Sequence, residues 1–116
     1  MIERQNYLKI REHLKYLEEV LQLNPASVER YRFYLRHLLL WAMDILLSKA
    51  NTIRPTFPAY VAALVSPRGG SLAAETQKKI IEIARQFFEW ATLNHTSEFR
   101  AISAAWIGLL RPTRQK

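Results

Sequence analysis

The feature that most constrains this chain is the step between its apolar residues: three or four over long stretches, with no useful length alternating at a period of two. Tyr7, Leu8, Ile10, Leu14, Leu17, Val20 and Leu21 recur at that step with Glu, Lys and Arg between them, predicting a first amphipathic helix. It should stop near Leu23. Asn24 followed by Pro25 is an N-cap and first-turn pair, because the Asn side chain accepts an orphaned N–H and Pro has none to lose. Leu23 and Val28 are placed to staple that corner.

From Pro25, a second helix is defined by Val28, Tyr31, Leu35, Leu38, Ala42 and Ile45, with Arg30, Arg32, Arg36 and His37 on its other sides. Residues 51–58 hold two prolines and polar caps and read as a connection. Thr56 is then the N-cap of a short helix carrying Tyr60, Val61 and Leu64, ended by Pro67, Gly69 and Gly70. A fourth helix should begin near Ser71 or Leu72 and run through Ile80, Ile83, Ala84, Phe87, Phe88, Trp90 and Ala91 to Asn94 and His95. A fifth, capped by Thr96 or Ser97, carries Phe99, Ile102, Trp106 and Ile107 until Gly108 and Pro112 break it. The implied fold is all-α, a compact bundle of four to five helices in which the two longest pack on each other and on the first.

Composition supports a packed core. The chain has 116 residues, 49% of them hydrophobic and 23% charged, which suits one folded domain rather than disorder. Cysteine is absent, so disulfides, thiolate metal sites and a cysteine nucleophile are excluded. The longest apolar stretch, residues 38–47, is interrupted by Asp44 and falls short of the roughly 20 residues that span a bilayer. No basic leader precedes an apolar run, so no membrane association and a cytoplasmic location are expected.

Seventeen Lys and Arg against ten Asp and Glu give a net charge of +7, which favours an anionic partner, nucleic acid ahead of a membrane surface. Solubility alone is the bland account of the same charge. Catalytic signatures are missing: no paired acid and base, phosphate loop or metal cluster stands at a usable spacing, and His13, His37 and His95 fall on different elements. No enzyme activity, cofactor or small-molecule ligand is therefore expected. Trp41, Phe87, Phe88 and Trp90 recur at helical spacing and read as core rather than as base-stacking platforms.

Two segments share a layout. Ser27 is followed by Tyr31, Leu35, Leu38 and Trp41; Thr76 is followed by Ile81, Ala84, Arg85, Phe87, Phe88 and Trp90. Here the chain resembles the core-binding domain of tyrosine recombinases, the SAM-like N-terminal domain of phage integrases. Ala84 departs from that family's pattern, where Leu is usual. Residues 57–64 resemble the family's short third helix, and residues 106–111 its closing helix and linker.

The resemblance implies an orthogonal SAM-like bundle over residues 1–110, with residues 111–116 starting a linker to a separate catalytic domain. It further implies that the second and fourth helices approach the major groove of duplex DNA while the two domains close as a clamp, alongside other protomers of the recombinase. Carried onto this sequence, it marks Ser27 and Arg30 on the second helix and Thr76, Lys78 and Lys79 on the fourth, with Arg85 as a further candidate. Such residue types are suited to holding DNA, since Arg and Lys neutralise phosphates or address guanine edges, and a first-turn Ser or Thr can donate to phosphate. The same residues also suit plainer roles. Arg30, Lys78 and Lys79 can be solvated helix positions, Thr76 can pack at the edge of the apolar face, and Arg85 can pair with Glu82 or Glu89. The family's catalytic His, two residues, Arg motif is absent: His13, His37 and His95 are followed at that spacing by Tyr16, Leu40 and Glu98. The expected role is DNA integration or a related recombination, with this module gripping DNA and cleaving nothing. The alternative from another class is a helical protein-interaction module with a solubilising basic surface and an apolar groove for a partner helix.

Overall fold

Asn24 and Pro25 set the first corner as the sequence implies: the Asn24 carboxamide oxygen accepts the Ser27 N–H at 2.8 Å and Pro25 occupies the first turn. The computed structural model describes residues 2–112. Its helices are α1 (Arg4–Glu19), α2 (Pro25–Ala42), α3 (Phe57–Ala62), α4 (Ala74–Asn94) and α5 (Ala104–Gly108), with a 3-10 segment at Leu47–Thr52 between α2 and α3. The fold is all-α. Among the described residues the only β pairing is an isolated bridge between Val65 and Ser71. No helix among them is long and apolar enough to cross a membrane.

Three helices supply most of the core, joined by Phe57 and Val61 of α3 and Leu47 of the 3-10 segment. α2 contributes Leu35, Leu38 and Trp41; α4 contributes Ile80, Ile81, Phe87 and Phe88; α1 contributes Ile10, Leu14 and Leu17, all buried. Trp41, Phe87, Phe88 and Trp90 are all buried and pack edge-on or tilted against other rings. Phe99, Ile102, Ile107 and Leu110 close the base under α4.

The direction of α1 fixes the rest. The Glu3 N–H donates to the Met43 carbonyl at 2.8 Å, so the start of α1 meets the end of α2 and the two helices run antiparallel. Along α1, Lys9 reaches Glu98 at 3.0 Å, Glu12 reaches His95 at 2.7 Å, and His13 packs on Trp90 with ring centroids 4.9 Å apart. Glu98 and His95 lie past the end of α4, and His13 and Tyr16 both pack on Trp90, so the middle of α1 crosses the last part of α4. The later part of α2, through Trp41, and that of α4, through Phe88, come together around Phe57 and Trp106, so the starts of both helices lie away from that point.

Several boundaries differ from expectation. α1 ends at Glu19, and Val20 and Leu21 are exposed, as are Tyr7 and Leu8; the inward side of α1 instead includes the polar Asn6 and His13. α2 ends at Ala42 because Met43 turns to a φ of 52°, which leaves Ile45 exposed rather than on the helix face. α4 begins at Ala74 rather than at Ser71 or Leu72, because Ser71 is held in the bridge to Val65. The turn between them uses Gly69 and Gly70 at φ of 83° and 78°, a region that favours glycine. Thr56 holds the N-cap position of α3 without a side-chain bond. The last helix starts at Ala104, where the Ser103 hydroxyl oxygen accepts the Trp106 N–H at 3.0 Å; Thr96 and Ser97 sit in a preceding turn.

Candidate nucleic-acid interface

Ser27 and Thr76 occupy equivalent places. Counting from the caps Asn24 and Ala73, each is the third residue of its helix, and each is followed three positions later by an exposed cation, Arg30 on α2 and Lys79 on α4. Residues three apart share a helix side, so each helix start pairs a hydroxyl with a positive charge. Ser27 and Thr76 are half-buried.

The two starts differ in what they leave open. In α2 the Ser27 N–H is taken by Asn24, so its hydroxyl and the Arg30 guanidinium are the groups on offer. In α4 the cap is Ala73, which has no side-chain acceptor, so the first-turn N–H groups lack the partner that Asn24 supplies in α2. Glu75 in that first turn opposes an incoming anion. The buried Gln77 steadies this helix start by donating from its amide to the Leu72 carbonyl at 2.8 Å.

Around each axis the candidates separate. Thr76 and Lys79 lie on the side of α4 that carries Ile83 and Trp90, toward α1. Lys78, about 100° from Lys79 around the axis, is in line with Arg85, seven residues on, which lines a shallow groove with Ile102 and Ile107 beside α5. Ser27 and Arg30 lie on the side of α2 that carries Trp41, which packs on Phe57 of α3. The two helix starts thus carry Ser27, Arg30, Thr76, Lys78 and Lys79, and all three cations are exposed. Arg85 is more than two turns beyond the start of α4. It makes no ion pair with Glu82 or Glu89, since the ion pairs among the described residues are Lys9–Glu98, Arg32–Glu29 and His95–Glu12.

His37, nearly three turns past Ser27 on α2, is half-buried and held below its ordinary pKa by desolvation and by the neighbouring Arg36. No cluster of three or more His, Asp or Glu side chains able to hold a metal occurs among the described residues. Arg111 and Pro112 follow α5, while the rest of the expected linker, residues 113–116, lies outside the described residues.

Sequence reasoning passed over the cations on the other side of α2. Arg32 and Arg36 face α1, where Arg11 and Lys15 line the same groove. Their i, i+4 spacing on two antiparallel helices was the available signal. Comparison with protein-family models, with curated proteins and with solved structures gives no match to this chain.

Proposed function

We propose that this chain is the DNA-gripping, non-catalytic module of a tyrosine recombinase, acting in the cytoplasm with a separate catalytic domain and with further protomers on duplex DNA. The observation that carries the reading is the matched start of α2 and α4: hydroxyl and cation at the same helical positions, with the cation exposed in each. Ser27 and Thr76 then donate to phosphates, and Arg30, Lys78 and Lys79 neutralise them. Exposed cations at two helix starts suit contacts to more than one phosphate. Half a clamp binds weakly and with little sequence preference, because phosphate contacts carry no sequence information.

The test is a gel shift with a short duplex at low salt, comparing the wild-type chain with Arg30→Ala and Lys79→Ala. The reading expects weak binding that either substitution diminishes. Binding that ignores both, or no binding at low salt, overturns it and favours the helical protein-interaction module.

A further inference from the structure

Between α1 and α2 runs an open groove of about 860 Å³ that neither the core nor the proposed DNA-contacting helix starts use. Its floor is apolar: Ile10, Leu14, Val28 and Leu39 are core residues whose outer edges line it. Its walls expose more apolar surface than a solvated helix pair needs, with Tyr7 at 50% and Phe33 at 59% of full exposure. An exposed aromatic pair over an apolar floor marks a docking surface rather than a scattered surface residue.

Charge says what docks there. Arg11 and Lys15 on α1 face Arg32 and Arg36 on α2 across the groove. Arg32 is partly engaged by Glu29 at 3.4 Å, an exposed pair of little strength, while Arg11, Lys15 and Arg36 have no ion pair among the described residues. Glu18 and Glu29 sit together at one end, leaving the remainder positive. Nucleic acid meets a polar, positive surface; an apolar floor between positive banks instead fits an amphipathic helix with an oily stripe and acidic flanks. From Tyr7 to Glu18 the groove runs roughly 16 Å at 1.5 Å per residue, three helical turns of a partner.

We propose that the α1–α2 groove docks an acidic amphipathic helix of a partner protein, with Phe33 and Tyr7 receiving its apolar stripe and Arg11, Lys15, Arg32 and Arg36 receiving its carboxylates. The proposal does not rest on the DNA-gripping reading, since the groove lies along the bundle's flank and uses none of Ser27, Arg30, Thr76, Lys78 or Lys79.

The test uses a fluorescently labelled peptide of about 16 residues with Leu at i, i+3, i+7 and i+11 and Glu at the flanking positions, titrated with the full chain by fluorescence anisotropy. Two control peptides have the same composition with the stripe scrambled, or Lys in place of Glu. The striped acidic peptide should bind, and Arg36→Glu and Phe33→Ala should each weaken it about tenfold or more, as loss of a central anchor does. Both residues are at the surface, and an unchanged thermal melt shows that each variant is folded. A chain carrying Arg30→Ala and Lys79→Ala should bind the peptide as the wild type does. Equal binding of the scrambled acidic peptide overturns the proposal, because charge alone would then suffice. So does displacement of the peptide by a short DNA duplex that loses its own binding on Arg36→Glu, since the groove would then be a nucleic-acid surface.

Discussion

Asn6 on α1 holds Leu47 at the start of the 3-10 segment: its carboxamide oxygen accepts the buried Leu47 N–H at 2.8 Å, while its amide donates to the Ile45 carbonyl at the same distance. One buried side chain thereby satisfies both polar groups of a chain reversal that has no partner of its own. Asn6→Ala removes both bonds and strands a buried N–H, so the chain should lose about 2–3 kcal/mol of stability. Urea unfolding should show a lower midpoint with an unchanged slope. Asn6→Asp should also destabilise, because a carboxylate can still accept from Leu47 but cannot donate to Ile45.

His13 gives the fold an acid-sensitive point. It is 2% exposed among Tyr16, Phe87 and Trp90, and neither ring nitrogen has a hydrogen-bond partner. Burial lowers its pKa from 6.5 to about 4. A depressed imidazole is neutral in the folded chain and takes up a proton more readily when unfolded. Stability is therefore fully present above pH 6.5 and falls as the pH drops toward 4, by about 3 kcal/mol at the limit. Thermal melts between pH 7 and pH 4 should show this decline. His13→Phe should flatten it, whereas an equal slope in that variant would place the acid sensitivity elsewhere.

Binding to duplex DNA should weaken steeply with salt. If the two helix starts touch about five phosphates, the logarithm of the binding constant should fall against log salt with a slope of about −4.5. Removing one true phosphate contact, through Arg30→Ala or Lys79→Ala, should reduce that slope by roughly 0.9. Arg85→Ala should leave it unchanged, because Arg85 lies away from the helix starts beside α5. Titrations at several salt concentrations measure all three.

Gly70→Ala should destabilise by about 1–2 kcal/mol through the backbone alone. Its φ is 78°, and an added Cβ would meet nothing within 4 Å, so no clash contributes. Gly69, at 83° with equally open surroundings, should behave alike. Denaturant melts of both variants check this.

Periodicity carried the fold far. Asn24 with Pro25, and the run from Ile80 to Trp90, placed α2 and most of α4 because capping and helical spacing are local properties that residues announce on their own. Boundaries set by distant partners were not legible in the same way. Ser71 stays outside α4 on account of Val65, and Ile45 leaves its expected face where Met43 reverses the chain. The polar Asn6 and His13 turn inward while the apolar Tyr7 and Leu8 turn out, a choice made by where α2 and α4 lie and not by hydropathy.

The candidate site was legible to the extent that it sits in sequence. Ser27 with Arg30 and Thr76 with Lys79 could be named through the family resemblance, but how the two helix starts stand relative to each other follows from the later parts of α2 and α4 packing around Phe57 and Trp106. That Lys78 and Lys79, about 100° apart, both stay on the exposed side of α4 is likewise a matter of phase around the packed axis. Arg11, Lys15, Arg32 and Arg36 looked like unrelated surface charges because only antiparallel packing makes them neighbours.

The ties from Lys9, Glu12 and His13 to Glu98, His95 and Trp90 join segments far apart in sequence, and this bears on the order in which the fold can close. α2 covers part of α1 as soon as the first corner forms, whereas the side bearing His13 is covered only when α4 packs. A chain in which α4 has not yet packed leaves that oily strip uncovered, and the long-range contacts that close it are the slow ones to form.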